Sequence, residues 1–361
     1  MKRRKTLEIL ISPTTRCNLR CRYCYVDQNS SKSEADMTIE DIDAVYRWLS
    51  VFANIVKADR IRFTWFGGEP LLKGMGYLKS ALSKQTQYFA GWIEVVNTMQ
   101  SNLTLVTDDF IPLLKEYFHS SIGGSLDYKS PFRIFPNGVD STGVIERNIR
   151  KLIESDIKVG IVCTATKRNI NQHYEIYSYF KSLGTDFRVN RAAGVSANAN
   201  SLSVGEYNTL IKSICDIYIS DKSPTVEFFN FTMMARLFLT GRPVVCVDTK
   251  EPYFYLGFEA RGRIMSRCRF TGCIGNYMVD PPEFFYEKMK KLSVAHSIPG
   301  RCRACEFYEK VCLGGCSGES NVDCFSSNCG YRTESTYDLW CYIRDFLSTN
   351  GHRYAELAEE F

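Results

Sequence analysis

The sequence predicts an α/β fold with a parallel sheet, followed by a loop-rich, cysteine-rich C-terminal segment. Three observations carry this. Short β-rich runs alternate with longer amphipathic stretches from Leu7 to Asn190, the pattern of strand–helix repeats joined by right-handed crossovers. From Cys246 onward that alternation stops and cysteines become dense. The chain has 361 residues, 45% of them apolar, which is enough for a large core and more than one compact domain usually needs.

Leu7–Ser12 is the first expected strand, and Ile61–Phe66, Trp92–Met99, Ser121–Leu126, Val159–Thr164 and Phe187–Asn190 continue the series. Between them, Tyr77–Phe89, Asp109–Phe118, Thr142–Glu154 and Gln172–Ser182 read as helices. Another helix opens at Thr38-Ile39-Glu40-Asp41, where Thr38 and Asp41 have capping-box spacing. Leu202–Thr240 reads as two helices joining the domains, expected at 1–201, 202–240 and 241–361. The pattern alone leaves both a partial barrel and a flat doubly wound sheet open.

Composition excludes several classes. Net charge is only +5, and apart from Lys2 to Lys5 the basic residues are scattered, so neither a nucleic-acid nor a membrane partner is expected. Leu7–Ile11 is five residues long and interrupted by Glu8, whereas a secretory core needs about 7–15 apolar residues and a membrane span about 20. Fifteen cysteines without an export signal read as metal ligands rather than disulfides, and the expected location is cytoplasmic.

The chemistry begins directly after the first strand. Cys17, Cys21 and Cys24 are spaced C-x3-C-x2-C, with Tyr23 before the last. Three thiolates so close in sequence can hold three irons of a cubane cluster and leave the fourth open to a ligand. The alternative is a zinc knuckle, but zinc sites favour paired C-x2-C units and a closed fourth position. The next cysteine in the chain is Cys163. Gly67-Gly68-Glu69-Pro70 follows the second strand, with glycines that let backbone approach a ligand closely.

At these residues the chain resembles the radical S-adenosylmethionine (SAM) enzymes. The resemblance rests on Cys17-Asn18-Leu19-Arg20-Cys21-Arg22-Tyr23-Cys24 together with the GGEP stretch one strand later. It implies a partial (β/α)6 TIM-like barrel, with active groups at the C-terminal strand ends. It also implies a [4Fe-4S] cluster on Cys17, Cys21 and Cys24 that splits SAM into methionine and a hydrogen-abstracting 5′-deoxyadenosyl radical. The family's SAM contacts map onto Gly67, Gly68, Glu69 and Pro70, with Glu69 accepting from the amino group. Gln100 and Asn102 map at the end of the third strand, and Ser125 at the end of the fourth. Arg133 would neutralise the SAM carboxylate through a forked pair.

The C-terminal segment resembles the SPASM extension of the same family, which holds two auxiliary iron–sulfur clusters. On that pattern Cys246, Cys268 and Cys316 would hold the first, and Cys302, Cys305, Cys312 and Cys341 the second. Two spacings depart from the family by one residue: six residues separate Cys305 from Cys312, and Gly262 precedes Cys268 by one more position than usual. Cys273, Cys324 or Cys329 would complete the first cluster, or its fourth site is open to substrate. A zinc ribbon is the alternative, because Cys302-x2-Cys305 alone is equally zinc-like.

Over the whole chain the resemblance is to anaerobic sulfatase-maturating enzymes and to peptide-modifying SPASM enzymes. In the sulfatase maturases a carboxylate takes the proton of the substrate serine or cysteine; here Asn230 stands in the matching stretch Val226–Phe231, and an amide is no general base at neutral pH. Formylglycine formation is therefore disfavoured. The expected reaction is oxidative modification or crosslinking of a peptide side chain, with a small-molecule dehydrogenase as the alternative. Asp127 and Glu227 are candidates for the base such a reaction needs. Sixteen residues precede Cys17, too few for a fused leader-binding domain, so a separate recognition protein or a substrate recognised directly is expected, with an electron donor such as flavodoxin or ferredoxin.

Overall fold

The computed structural model describes residues 5–24, 36–192, 200–241, 254–266, 272–294, 304–308, 310 and 334–358. The chain divides into two compact units, Met1–Leu126 with Pro131–Gly160 and Glu251–Ala295, and Asp127–Ser130 with Ile161–Lys250 and His296–Phe361.

The first unit is built on a six-stranded sheet. Its strands are β1 (Thr6–Ser12), β2 (Arg60–Trp65), β3 (Glu94–Met99), β7 (Tyr255–Glu259), β8 (Arg263–Ser266) and β9 (Cys273–Asn276). The order is β3-β2-β1-β7-β8-β9, parallel from β3 to β7 and antiparallel beyond it. Strand β1 explains why it lies centrally. Leu7, Ile9 and Ile11 alternate along it and are no more than 1% exposed, each contributing about 1.5–3 kcal/mol of burial. Phe63 and Trp65 do the same on β2. Strand β4 (Ser121–Ser125) continues from β3 through a parallel bridge between Gln100 and Gly123.

Helix α1 (Ile39–Val56) crosses back over this sheet. Its start is the expected capping box: the Thr38 hydroxyl accepts from the Asp41 N–H at 3.1 Å, and the Asp41 carboxylate accepts from the Thr38 N–H at 2.8 Å. Ile42, Val45, Leu49, Phe52 and Val56 form its buried stripe. Lys57 closes it in the left-handed conformation. Helices α2 (Gly74–Phe89), α3 (Phe110–Tyr117) and α4 (Thr142–Glu154) lie where the alternation predicts. The segment after β9 forms a further helix, Pro282–Val294, whose Phe285 ring meets Trp48 and Phe52 of α1 at 5.3 and 5.9 Å.

In the second unit, the later part of β5 (Lys158–Ala165) neighbours β6 (Asp186–Arg191) in a sheet, with α5 (His173–Leu183) between them in sequence. Phe187 of β6 stacks on Phe180 at 4.8 Å. Helices α6 (Val204–Ser220) and α7 (Phe229–Thr240) are the two expected between 202 and 240. A C-terminal helix, Glu334–Asn350, buries Leu339, Trp340, Ile343 and Leu347. No described helix is long and apolar enough to cross a membrane.

Candidate metal and cofactor site

The cysteine loop leaves the C-terminal end of β1 and is held on both sides by backbone. On one side the Gly68 N–H donates to Thr14 O at 2.9 Å, and the Glu69 N–H to Arg16 O at 2.8 Å. On the other, the Arg20 N–H donates to Ile134 O at 2.7 Å and the Arg22 N–H to Phe132 O at 3.0 Å. The glycines are required by this approach. A Cβ on Gly68 would lie 1.9 Å from Arg16 O, and Gly67 has φ +149°, with a Cβ 2.5 Å from Thr14 O. The GGEP stretch thus serves first as the wall against which the cysteine loop is laid.

Cys17, Cys21 and Cys24 are all partly exposed on this clamped loop. N–H donors, from the loop itself and from other segments, reach two of the three sulfurs. The Leu19 N–H lies 3.4 Å and Asn102 Nδ2 3.7 Å from Cys17 Sγ, and Arg133 Nη1 lies 3.9 Å from Cys21 Sγ. Burial pushes the Cys17 thiol up; the Leu19 and Asn102 N–H groups oppose this, while the negative charge of Glu69 adds to it. Among the described residues no three His, Cys, Asp or Glu side chains are grouped tightly enough for one metal ion. A cubane asks for something else. Each thiolate takes its own iron, so its ligands stand farther apart than those of a single ion. Three soft thiolates with N–H donors aimed at sulfur fit such a cluster.

The expected cofactor residues have the following partners in the structure. Glu69 is fully buried: Oε1 accepts from the Leu71 N–H at 3.0 Å and the Ser101 hydroxyl at 2.9 Å, and Oε2 from the Asn102 N–H at 2.7 Å. Desolvation pushes its carboxyl up to about 7 against the pull of these donors. Its carboxylate braces the GGEP turn onto the end of β3, and Pro70 starts the short helical turn Pro70–Lys73 that Glu69 caps. Gln100 Nε2 donates to Gly124 O at 2.7 Å and to Ser125 Oγ at 3.0 Å, tying the ends of β3 and β4. The Arg133 guanidinium, expected at a SAM carboxylate, lies by Cys21 and 5.4 Å from the Tyr23 ring centre.

Asp127, Glu227, Asn230, Cys305 and Cys341 lie in the second unit. Asp127 is 2% exposed and accepts from the Thr164 N–H at 2.7 Å. The Glu227 carboxylate accepts from the Thr232 hydroxyl, while its N–H donates to Asp186 at 2.8 Å. Asn230 acts as an extra strand residue beside β6: Oδ1 accepts from the Val189 N–H at 2.8 Å, and Nδ2 donates to Val189 O at 2.9 Å and to the Tyr207 hydroxyl at 3.1 Å. Cys305 and Cys341 are both partly exposed. Cys246, Cys268, Cys302, Cys312 and Cys316 lie outside the described residues.

Two residues that sequence reasoning did not single out join the site, Asn18 and Thr104. Asn18 Nδ2 donates to Thr104 Oγ1 at 2.8 Å, and Asn102 Nδ2 donates to Asn18 Oδ1 at 2.9 Å. The signal available for Asn18 was its place between two expected ligands; Thr104 left none.

Residues 11–177 match the family model described as the Radical SAM superfamily and form a radical SAM domain. Over most of its length the chain is similar to anaerobic sulfatase-maturating enzymes. It is 22% identical over 333 residues to the cysteine-type anaerobic sulfatase-maturating enzyme of Clostridium perfringens, covering 86% of this chain and 88% of the relative. It is similar in fold to anSMEcpe with bound AdoMet and Cp18Cys peptide, with TM-score 0.76, 20% identity and coverage of 99% of this chain and 100% of the other. SuiB of Streptococcus suis bound to precursor peptide SuiA has TM-score 0.65 and 16% identity, covering 92% and 76%. These likenesses carry the partial-barrel fold.

Proposed function

We propose that this enzyme abstracts hydrogen from a peptide side chain and leaves it oxidised or crosslinked. The observation that carries the reading is the cysteine loop itself, pinned between two backbone segments with N–H donors aimed at the Cys17 and Cys21 sulfurs. When bound, a [4Fe-4S] cluster on Cys17, Cys21 and Cys24, together with SAM, supplies one-electron cleavage of SAM and hence a hydrogen-abstracting radical. The chain's own part is positioning. Gly67 and Gly68 bring the second loop against the first, Glu69 fixes that loop to the end of β3, and Gln100 fixes Ser125 at the end of β4.

A peptide substrate is supported by the two structural neighbours, both described with peptides bound. Formylglycine formation is disfavoured because the amide of Asn230 is engaged on both sides with Val189 and offers no proton acceptor. The base belongs elsewhere, with Asp127 and Glu227 as candidates. In this reading Cys246, Cys268, Cys302, Cys305, Cys312, Cys316 and Cys341 hold two auxiliary clusters that accept the electron left on the product. Reduction comes from a donor such as a flavodoxin or ferredoxin in the cytoplasm, and the peptide is recognised directly or through a separate protein. The test is anaerobic incubation of the reduced enzyme with SAM and candidate peptides, followed by mass spectrometry. Loss of two hydrogens from an aromatic-rich peptide with 5′-deoxyadenosine supports the reading; efficient conversion of a sulfatase-motif peptide to the aldehyde instead overturns it.

A further inference from the structure

The end of β3 carries a closed ring of hydrogen bonds with one member turned toward the cysteine loop. Asn102 Oδ1 accepts from the Thr104 N–H at 2.9 Å and from the Thr104 hydroxyl at 2.6 Å. A backbone N–H can only donate, so the atom facing it is the oxygen, and the orientation of the Asn102 amide follows from the chain rather than from choice. Its Nδ2 then faces Asn18 Oδ1 at 2.9 Å and Cys17 Sγ at 3.7 Å. The ring closes consistently, because Thr104 Oγ1 gives its proton to Asn102 and receives one from Asn18 Nδ2 at 2.8 Å. The Asn102 backbone is held as well, its N–H donating to Glu69 Oε2 at 2.7 Å. Asn102 is 8% exposed.

We propose that Asn102 is a positioning residue for the cluster ligand Cys17: held by Thr104 and Asn18, its amide N–H donates to the Cys17 thiolate and raises the reduction potential of the cluster carried there. This rests on the reading of Cys17, Cys21 and Cys24 as cluster ligands, and it gives Asn102 a role different from a SAM contact. The sign follows from electrostatics. An N–H dipole pointed at sulfur stabilises the more negative, reduced cluster more than the oxidised one, so its loss makes reduction harder. Leu19 supplies a second donor to the same sulfur from its backbone, at 3.4 Å, which no side-chain substitution removes. The Asn102 contribution can therefore be changed while Cys17 keeps a hydrogen bond.

The experiment is an EPR-monitored redox titration of the anaerobically reconstituted full-length enzyme, following the signal that SAM perturbs, with SAM affinity measured in parallel. Asn102→Asp keeps an oxygen toward the Thr104 N–H and turns the other toward Cys17. Asn102→Ala removes the donor, and Thr104→Val only loosens it. The expected result is a lower potential in Asn102→Ala, by about tenfold in the reduced-to-oxidised ratio at fixed potential, which is ~59 mV for a one-electron couple. The fall should be larger in Asn102→Asp and smaller, but of the same sign, in Thr104→Val. An unchanged potential with weakened SAM binding would overturn the proposal in favour of a SAM contact. Absence of any SAM-perturbed signal in the unmodified enzyme would overturn the cluster reading itself, so the two failures are distinct.

Discussion

Polar groups beside the cysteine loop in the first unit and the polar groups weighed for catalysis in the second do different work. In the first, Asn102 and Arg133 come from different segments and turn toward sulfur atoms of one short loop. In the second, Asp127 caps the Thr164 N–H, Asn230 binds both backbone groups of Val189, and Glu227 holds the Thr232 hydroxyl. A polar side chain whose partners are backbone groups of its own sheet or helix is accounted for by folding alone. One whose donors face thiolates is not. The comparison teaches that lying in a motif-matching stretch does not by itself identify a chemical role.

The largest effect that separates the two regions is expected at Gly68. Gly68→Ala puts a methyl 1.9 Å from Arg16 O, and the cysteine loop must move to admit it. After reconstitution this variant should lack the SAM-perturbed EPR signal, whereas Gly76→Ala, where a Cβ meets nothing within 4 Å, should retain it. A normal signal in Gly68→Ala would show that the two loops do not depend on each other.

Asn230→Asp comes next and tests the structural assignment in the second unit. A carboxylate cannot donate to Val189 O, so stability should fall by about 1–3 kcal/mol, read from the thermal midpoint. Gain of aldehyde formation on a sulfatase-motif peptide by this variant would instead mark the position as catalytic.

Glu69 gives a pH signature. Its folded carboxyl sits near 7, above its ordinary value of 4.5, so the folded state holds a proton that the unfolded state has lost between those values. The stability it contributes is full below about 4.5 and declines as pH rises through about 7. In urea unfolding, the unmodified protein should therefore lose stability relative to Glu69→Gln across that window. A rise with pH in the stability of the unmodified protein relative to Glu69→Gln would contradict the assignment. The smallest effect is Thr38→Ala, which removes one half of the α1 capping box and should cost about 1 kcal/mol with SAM cleavage unchanged.

The alternating units were legible because each strand is a short apolar run and each helix carries its own 3.6-residue stripe, as Thr38–Asp41 and the buried face of α1 illustrate. Strand β7 was not. It pairs in parallel with β1 from almost 250 residues away, Glu8 opposite Tyr255, and such non-local pairing leaves no mark in Tyr255–Glu259 itself. The C-terminal helix was missed although Leu339, Ile343 and Leu347 recur every fourth residue, because the nearby cysteines suggested loops. At the site, the cysteine spacing was readable from residue identity alone. The engagement of Glu69 by Ser101 and Asn102, and the ring through Asn18 and Thr104, depend on β3 lying beside β2 and could be seen only in the fold.

The central claim is that Cys17, Cys21 and Cys24 hold the centre that cleaves SAM. The most direct measurement is 5′-deoxyadenosine formed by the reduced, reconstituted protein, unmodified and as Cys17→Ala, under oxygen-free conditions. The account predicts steady formation by the first and none above the protein-free background by the second. Cleavage retained in Cys17→Ala would contradict it.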